Sequence, residues 1–420
     1  MQPTYLRPLG PLETRMACQH ELAGTTQTAS LLSLSGPMSI ALLDAAAALL
    51  WEKHSLLQAS IQDDGERLYF AQTAHPVVLR AVALHTPEDK CAALEQELNS
   101  PLEAQHGLWK LALLSEPDGH RHHLVLTCHH AIVDAVSLAL LLGELLGYCE
   151  ALLEGQVATP TAEPLPAALE HFLLPPAPPQ PSQDLEAPRY DQRAPLAQRQ
   201  TRLLLLELPA PQLHRLQSRT RALGLSLNDL LGAALLQASS AAGLGQRIRL
   251  HTAVSLRQRA ERPVPADLLG CFIGVVGNDL TVAGRPLLDL ARDYRRQLRE
   301  SLTLARHANP DVRPAVLRQR GALLTQGSRF AQGIALTNHG LIQMPACRAF
   351  SLHDYLNVAC RNAGNFAVAV HVTSFADTLN LSFTYVSPLI EPARILTLSQ
   401  HLQACLLAFS NRQEGLRHEE

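Results

Sequence analysis

The chain has 420 residues, too many for one hydrophobic core, because cores stop growing beyond roughly 250–300 residues; two packed units are expected. A hydrophobic fraction of 47% with 17% charged residues belongs to a folded globular chain and excludes intrinsic disorder. The formal net charge of −3 offers no basic field to replace counterions on phosphates, which argues against nucleic acid as a partner.

In chain order, the apolar stretch Leu31 to Trp51 is interrupted by Gly36, Pro37 and Asp44 and reads as a buried helix, not a membrane span. Ser35-Gly36-Pro37 opens the helical pattern Ile40, Leu43, Ala47, Leu50, which runs to about His54. Leu56–Ile61 and Arg67–Ala71 flank Asp63-Asp64-Gly65 as a hairpin, and Val77–Leu84 reads as another strand. Pro87–Ser100 has helical spacing; Trp109–Ser115 and His122–Cys128 are strands joined by a turn at Glu116-Pro117-Asp118-Gly119. Ala135–Leu153 is nearly all apolar, a helix buried on most sides. A proline-rich stretch with little apolar periodicity, including Pro175-Pro176-Ala177-Pro178-Pro179, divides the chain into 1–158, a linker 159–198, and 199–420. Beyond it come a strand at Thr201–Leu208 and a helix at Pro211–Leu223. A second helix, opened by Ser226 as cap with Asp229 in its first turn, runs to Ala242. Strands at Ile248–Ser255, Ile334–Thr337, Ala367–Thr373 and Leu379–Tyr385, and helices at Leu287–His307 and Pro392–Ser410, complete an α/β pattern in both halves.

The eight cysteines are scattered without a Cys-x-x-Cys pair, as expected of reduced thiols in the cytoplasm. Met1 to Gly10 carries prolines and an arginine where a secretory leader would need an unbroken apolar run.

The chemistry concentrates in His129-His130-Ala131-Ile132-Val133-Asp134, between a strand and a helix. A neutral imidazole, with an ordinary pKa of about 6.5, can accept a proton from an attacking hydroxyl or amine. Successive residues of an extended segment face opposite ways, so one histidine enters a cleft and the other the packing. Asp134 at the helix start suits a structural role. Taken locally, three readings stay open: ordinary core or surface histidines, a general base, or a metal set drawn from His122, His123, His129, His130 and Asp134, although alternating strand faces would divide that set.

The hexapeptide resembles the His-His-x-x-x-Asp signature of the condensation-domain and chloramphenicol-acetyltransferase-like superfamily. Gly224-Leu225-Ser226-Leu227-Asn228-Asp229-Leu230-Leu231 and Val254-Ser255-Leu256-Arg257-Gln258-Arg259, followed by Leu269-Gly270-Cys271-Phe272, resemble segments of the same proteins. There are departures. Ala135 stands where condensation domains carry glycine, Gln58 where they carry arginine after the first helix, and no Asp-Phe-Gly-Trp-Gly motif follows Thr337-Asn338-His339-Gly340. The chain is therefore more similar to polyketide-associated (Pap-type) and alcohol acyltransferases.

The resemblance implies two chloramphenicol-acetyltransferase-like subdomains in a V, with a tunnel at their junction. It also implies acyl transfer from acyl-coenzyme A or a phosphopantetheinyl carrier protein to a small alcohol or amine, by a monomer with no bound cofactor or metal. His130 would be the base, with His129 and Asp134 supporting it and Asn338 and Arg257 as substrate or oxyanion candidates. The stripe Arg292, Arg295, Arg296, Arg299 could meet a carrier protein or coenzyme A, or be a solvated helix face. Ester formation is expected, with an amide-forming condensation enzyme and a non-catalytic carrier-binding relative as the rivals.

Overall fold

The computed structural model describes residues 4–73, 77–178 and 185–411. The first half runs β1 (Tyr5–Pro8), α1 (Pro11–His20), β2 (Thr28–Ser35), α2 (Ile40–Lys53), β3 (Ala59–Asp63), β4 (Leu68–Gln72), β5 (Val78–Ala83), α3 (Asp89–Leu98), β6 (Trp109–Ser115), β7 (Arg121–Cys128) and α4 (Ala135–Leu153). The second half continues with β8 (Gln200–Leu208), α5 (Ala210–Ala222), α6 (Leu227–Ala241), β9 (Arg247–Ser255), β10 (Ile273–Thr281), α7 (Leu287–Leu304) and α8 (Pro314–Gln326). It closes with β11 (Ile334–Leu341), β12 (Ser351–Ala359), β13 (Ala369–Phe375), β14 (Thr378–Ser387) and α9 (Pro392–Asn411).

Two large sheets organise two lobes of an α/β fold. The first has the order β12-β2-β7-β6-β5, with only β5 and β6 parallel; the second has the order β10-β9-β11-β13-β14-β8, with β11 parallel to both its neighbours. A three-stranded antiparallel sheet, β1-β4-β3, stands beside the first. Helix α4 buries Leu138, Leu141, Leu142, Leu145 and Leu146 together with Leu43, Ala46, Ala47 and Leu50 of α2, so this most apolar helix is a core element. In the other lobe α6 is buried on most sides and starts at a reciprocal capping box, Ser226 accepting from the Asp229 amide at 3.1 Å and Asp229 from the Ser226 amide at 2.8 Å.

Several expectations are corrected. The apolar stretch from Leu31 is not one helix. Its first part, Thr28–Ser35, is the second strand of the first sheet, paired to β7 on one side and β12 on the other. Gly36 breaks the run with φ +142°, and a Cβ there would lie 2.5 Å from the Ala349 carbonyl oxygen. The division at 159–198 omits an exchange: β12, from the second half, completes the sheet of the first, with Tyr355 donating or accepting at Ser30 Oγ at 2.8 Å. Nor is the proline-rich stretch a free tether. Leu169 and Phe172 pack with Leu12, Leu256 and Phe272, while 179–184, including Pro179, lie outside the described residues. The α7 arginines largely spend their charge at home: Arg296 pairs with Asp293 at 2.6 Å and Glu300 at 3.1 Å, Arg292 with Asp289 at 3.5 Å, and Arg295 bonds the Gly224 carbonyl.

Candidate active site

Residues 129–134 bridge the C-terminal end of β7 and the first turn of α4, and local hydrogen bonds set which way each side chain points. His129 is 1% exposed. Its Nδ1 accepts from the Ala131 amide at 3.0 Å, which puts its proton on Nε2, and its ring lies 4.5 Å from that of His20. The next side chain turns the other way. His130 lines the cavity, and its Nδ1 lies 2.7 Å from the Val133 carbonyl oxygen. A carbonyl can only accept, so Nδ1 holds the proton and Nε2 presents a lone pair. The Cys271 sulfur sits 3.5 Å from the same Nδ1; burial pushes that thiol far above its ordinary pKa.

Asp134 does two jobs with one carboxylate. Its Oδ1 caps α4 by accepting from the Ser137 amide at 2.8 Å. It also takes Arg257 Nη2 at 3.0 Å and Nε at 3.1 Å, and the Phe272 amide at 3.2 Å. Arg257 is satisfied in turn by the Leu268 carbonyl and the Ser137 hydroxyl, both at 2.8 Å, and lies over the Phe272 ring. The guanidinium is thus directed at Asp134 and stands outside the residues that line the cavity, tying the loop of the first lobe to the segment after β9. Gln58, standing where the family arginine is expected, donates to the Trp51 and Glu52 carbonyls at the end of α2.

The cavity is about 840 Å³ and is lined from both halves of the chain, with His130, Asp134 and Val136 on one side and Thr337, Asn338, His339, Arg361 and His371 on the other. Burial lowers the pKa of His130, with the Val133 hydrogen bond opposing the shift, so its imidazole is neutral at neutral pH. Burial also carries His339 down to about 4, with the proximity of His130 adding to it, and His371 well below its ordinary value. The His339 and His371 rings stack at 5.8 Å.

Asn338 lines the cavity, but its Oδ1 is occupied, accepting from the Gly340 amide at 3.0 Å; its amide nitrogen reaches Asn228 Oδ1 at 3.4 Å, leaving one N–H for a ligand. His122 and His123 lie back on β7, held by Ser115, Ser33 and Glu116, apart from this set. Three residues that line the cavity escaped the sequence reading: His339, His371 and Arg361. The parallel pairing of Thr337 with His371 brings His339 and His371 together across β11 and β13, a contact without a local signal, while Arg361 stands in the segment between β12 and β13.

The family model "Condensation domain" matches residues 18–164, and "Phthiocerol/phthiodiolone dimycocerosyl transferase C-terminus" matches residues 197–383. The structure is similar to that of polyketide synthase associated protein 5 from Mycobacterium tuberculosis, with a TM-score of 0.70 at 17% identity, covering 98% of this chain and 100% of that one. The first condensation domain of the calcium-dependent antibiotic synthetase has a TM-score of 0.68 at 16% identity, with 98% of each chain covered. Among curated proteins, nonribosomal peptide synthetase kk1B from Curvularia clavata is 32% identical over 144 residues, which are 34% of this chain and 1% of that far longer protein. With one model on each half and a fold shared end to end, the chain matches acyltransferases of condensation-domain and polyketide-associated type.

Proposed function

We propose that this chain transfers an acyl group from a pantetheine thioester, on coenzyme A or a phosphopantetheinyl carrier protein, to a small-molecule hydroxyl, forming an ester in lipid or secondary-metabolite biosynthesis. The observation that carries this reading is the fixed tautomer of His130: Nδ1–H bound to the Val133 carbonyl leaves Nε2 as a base in a cavity lined by both lobes. Nε2 takes the hydroxyl proton as oxygen attacks the thioester carbonyl. The tetrahedral adduct then breaks its C–S bond, and the imidazolium returns the proton to the departing sulfur. Ester and thiol leave, and the side chain ends as it began, with no acyl-enzyme formed. The free N–H of Asn338 is the proposed oxyanion donor, and Asp134 with Arg257 holds the loop on which His130 stands. Eight free cysteines suit a reducing cytoplasm, and one chain supplies both walls of the cavity, as a monomer requires.

The test is thiol release from a panel of acyl-coenzyme A donors with alcohol and amine acceptors, comparing wild type with His130→Ala. Acceptor-dependent release should fall about 10²–10⁴-fold in the variant, the range of general-base catalysis. Equal activity of the two proteins removes His130 from the mechanism. An amine acceptor is the second reading, favoured by the condensation-domain match to the first half, and the panel separates ester from amide formation directly.

A further inference from the structure

The protein satisfies its buried guanidiniums with care. Arg257 is paired with Asp134, and Arg199 donates to three backbone carbonyls, those of Ala194, Ala363 and Thr325, at 2.7–3.1 Å. Arg361 differs from these two and, like Arg15 in the lining of the same cavity, has a buried Nε with no hydrogen-bond partner among the described residues. It lies in the segment between β12 and β13, lines the cavity, and has no carboxylate within ion-pair distance among the described residues. Among the described residues its one polar side-chain contact is a long 3.4 Å approach of Nη2 to His371 Nε2. His371 supplies no negative charge: burial keeps its imidazole neutral, and protonation would only add a second cation. The Phe366 ring, 5.5 Å from the guanidinium carbon, covers the group without neutralising it. Arg361 stays protonated at neutral pH even though burial lowers it to about 10. A half-buried cation whose Nε is shut off from solvent is costly unless an anion arrives with the ligand, and a planar fork of donors matches a carboxylate.

We infer that one substrate of this enzyme carries a carboxylate, and that Arg361 is the residue that receives it. This rests on the acyltransferase reading above and narrows it: either the acceptor is a hydroxy acid, or the donor is the thioester of a dicarboxylic acid. Both sources present the same anion, and matched pairs of probes tell them apart.

Calorimetric binding to the full chain needs no turnover, so its outcome is independent of whether His130 is the base. The acceptor pair is 3-hydroxydecanoate and its methyl ester; the donor pair is succinyl-coenzyme A and butyryl-coenzyme A. In wild type the charged member of one pair should bind on the order of 10–100-fold more tightly than its neutral counterpart, as expected for a charge-assisted hydrogen bond out of water. That ratio should collapse in Arg361→Gln and partly return in Arg361→Lys, which keeps the charge and guards against a folding artefact. Preference in the first pair places the carboxylate on the acceptor; in the second, on the acyl chain. No preference in either pair, or a preference that survives in Arg361→Gln, overturns the inference. So does a loss of affinity for free coenzyme A in Arg361→Gln, which would assign the guanidinium to a phosphate. Equal loss of kcat for charged and neutral substrates would likewise overturn it and make Arg361 an oxyanion donor.

Discussion

Replacing Asp134 with alanine removes four accepted hydrogen bonds together: two from Arg257 at 3.0 and 3.1 Å, one from the Ser137 amide at 2.8 Å and one from the Phe272 amide at 3.2 Å. The two side chains are 2% and 7% exposed, so the variant leaves a guanidinium buried beside Phe272 with only the Leu268 carbonyl and the Ser137 hydroxyl. Stranding one member of a buried pair costs roughly 3–5 kcal/mol, within which the lost helix cap accounts for about 1 kcal/mol. Arg257→Ala strands the carboxylate instead, though two backbone amides still serve it, and should cost about 3 kcal/mol. If the pair is the unit, the double variant costs little more than Asp134→Ala, about 4 kcal/mol against about 7 kcal/mol for independent effects, a coupling of about 3 kcal/mol. Urea unfolding of the four proteins measures this from midpoints and slopes. Single-variant costs that add to within about 0.5 kcal/mol in the double would refute the reasoning, because the two residues would then not be acting on each other.

Burial holds His130 below its ordinary value of 6.5, so kcat/KM should lose activity only on the acid side, with an inflection below pH 6.5; an inflection at or above that value removes the neutral-base argument. His123, His251 and His339 are held at about 4, against 6.5 when unfolded. Between those values the unfolded chain binds the more protons, so stability should fall as pH falls through that window, and a melting temperature that rises there would contradict it. Asn338→Ala should lower kcat by about 10²-fold with KM little changed if its N–H serves the oxyanion; a change confined to stability leaves it only the turn at Gly340. Gly232→Ala would set a Cβ 2.3 Å from Tyr294 Cε1 in a fully buried contact, and thermal or urea unfolding should record a loss of about 1–3 kcal/mol.

What could be read ahead of the structure follows from where the determining contacts lie. α4 and α6 were legible because their apolar positions are close in sequence and their caps, Asp134 and Ser226, are local. β12 was not. His353, Asp354 and Asn357 break its alternation, and each is accounted for only by distant partners: Ser35, then Lys90 with Asn380, then Ser30. α8 carries one buried residue, Pro314, and so shows no apolar stripe. At the site, His130 and Asp134 belong to a contiguous motif, whereas Arg257 and Arg361 owe their roles to partners, or to the lack of one, that only the assembled lobes reveal.

The placement of β12 has a consequence for how the molecule comes into being on the ribosome. Until residues 351–359 emerge, β2 has hydrogen-bonding groups along one edge with nothing to receive them, so the lobe made first waits on a strand made more than 300 residues later. The late strand acts as a clasp: the half holding His130 gains its outermost strand over β2 when most of the opposite wall of the cavity has also been synthesised. Splitting the chain at the proline-rich stretch should therefore yield a first piece with an exposed, pairing-competent edge, and adding the second piece in trans should restore it only by delivering that strand.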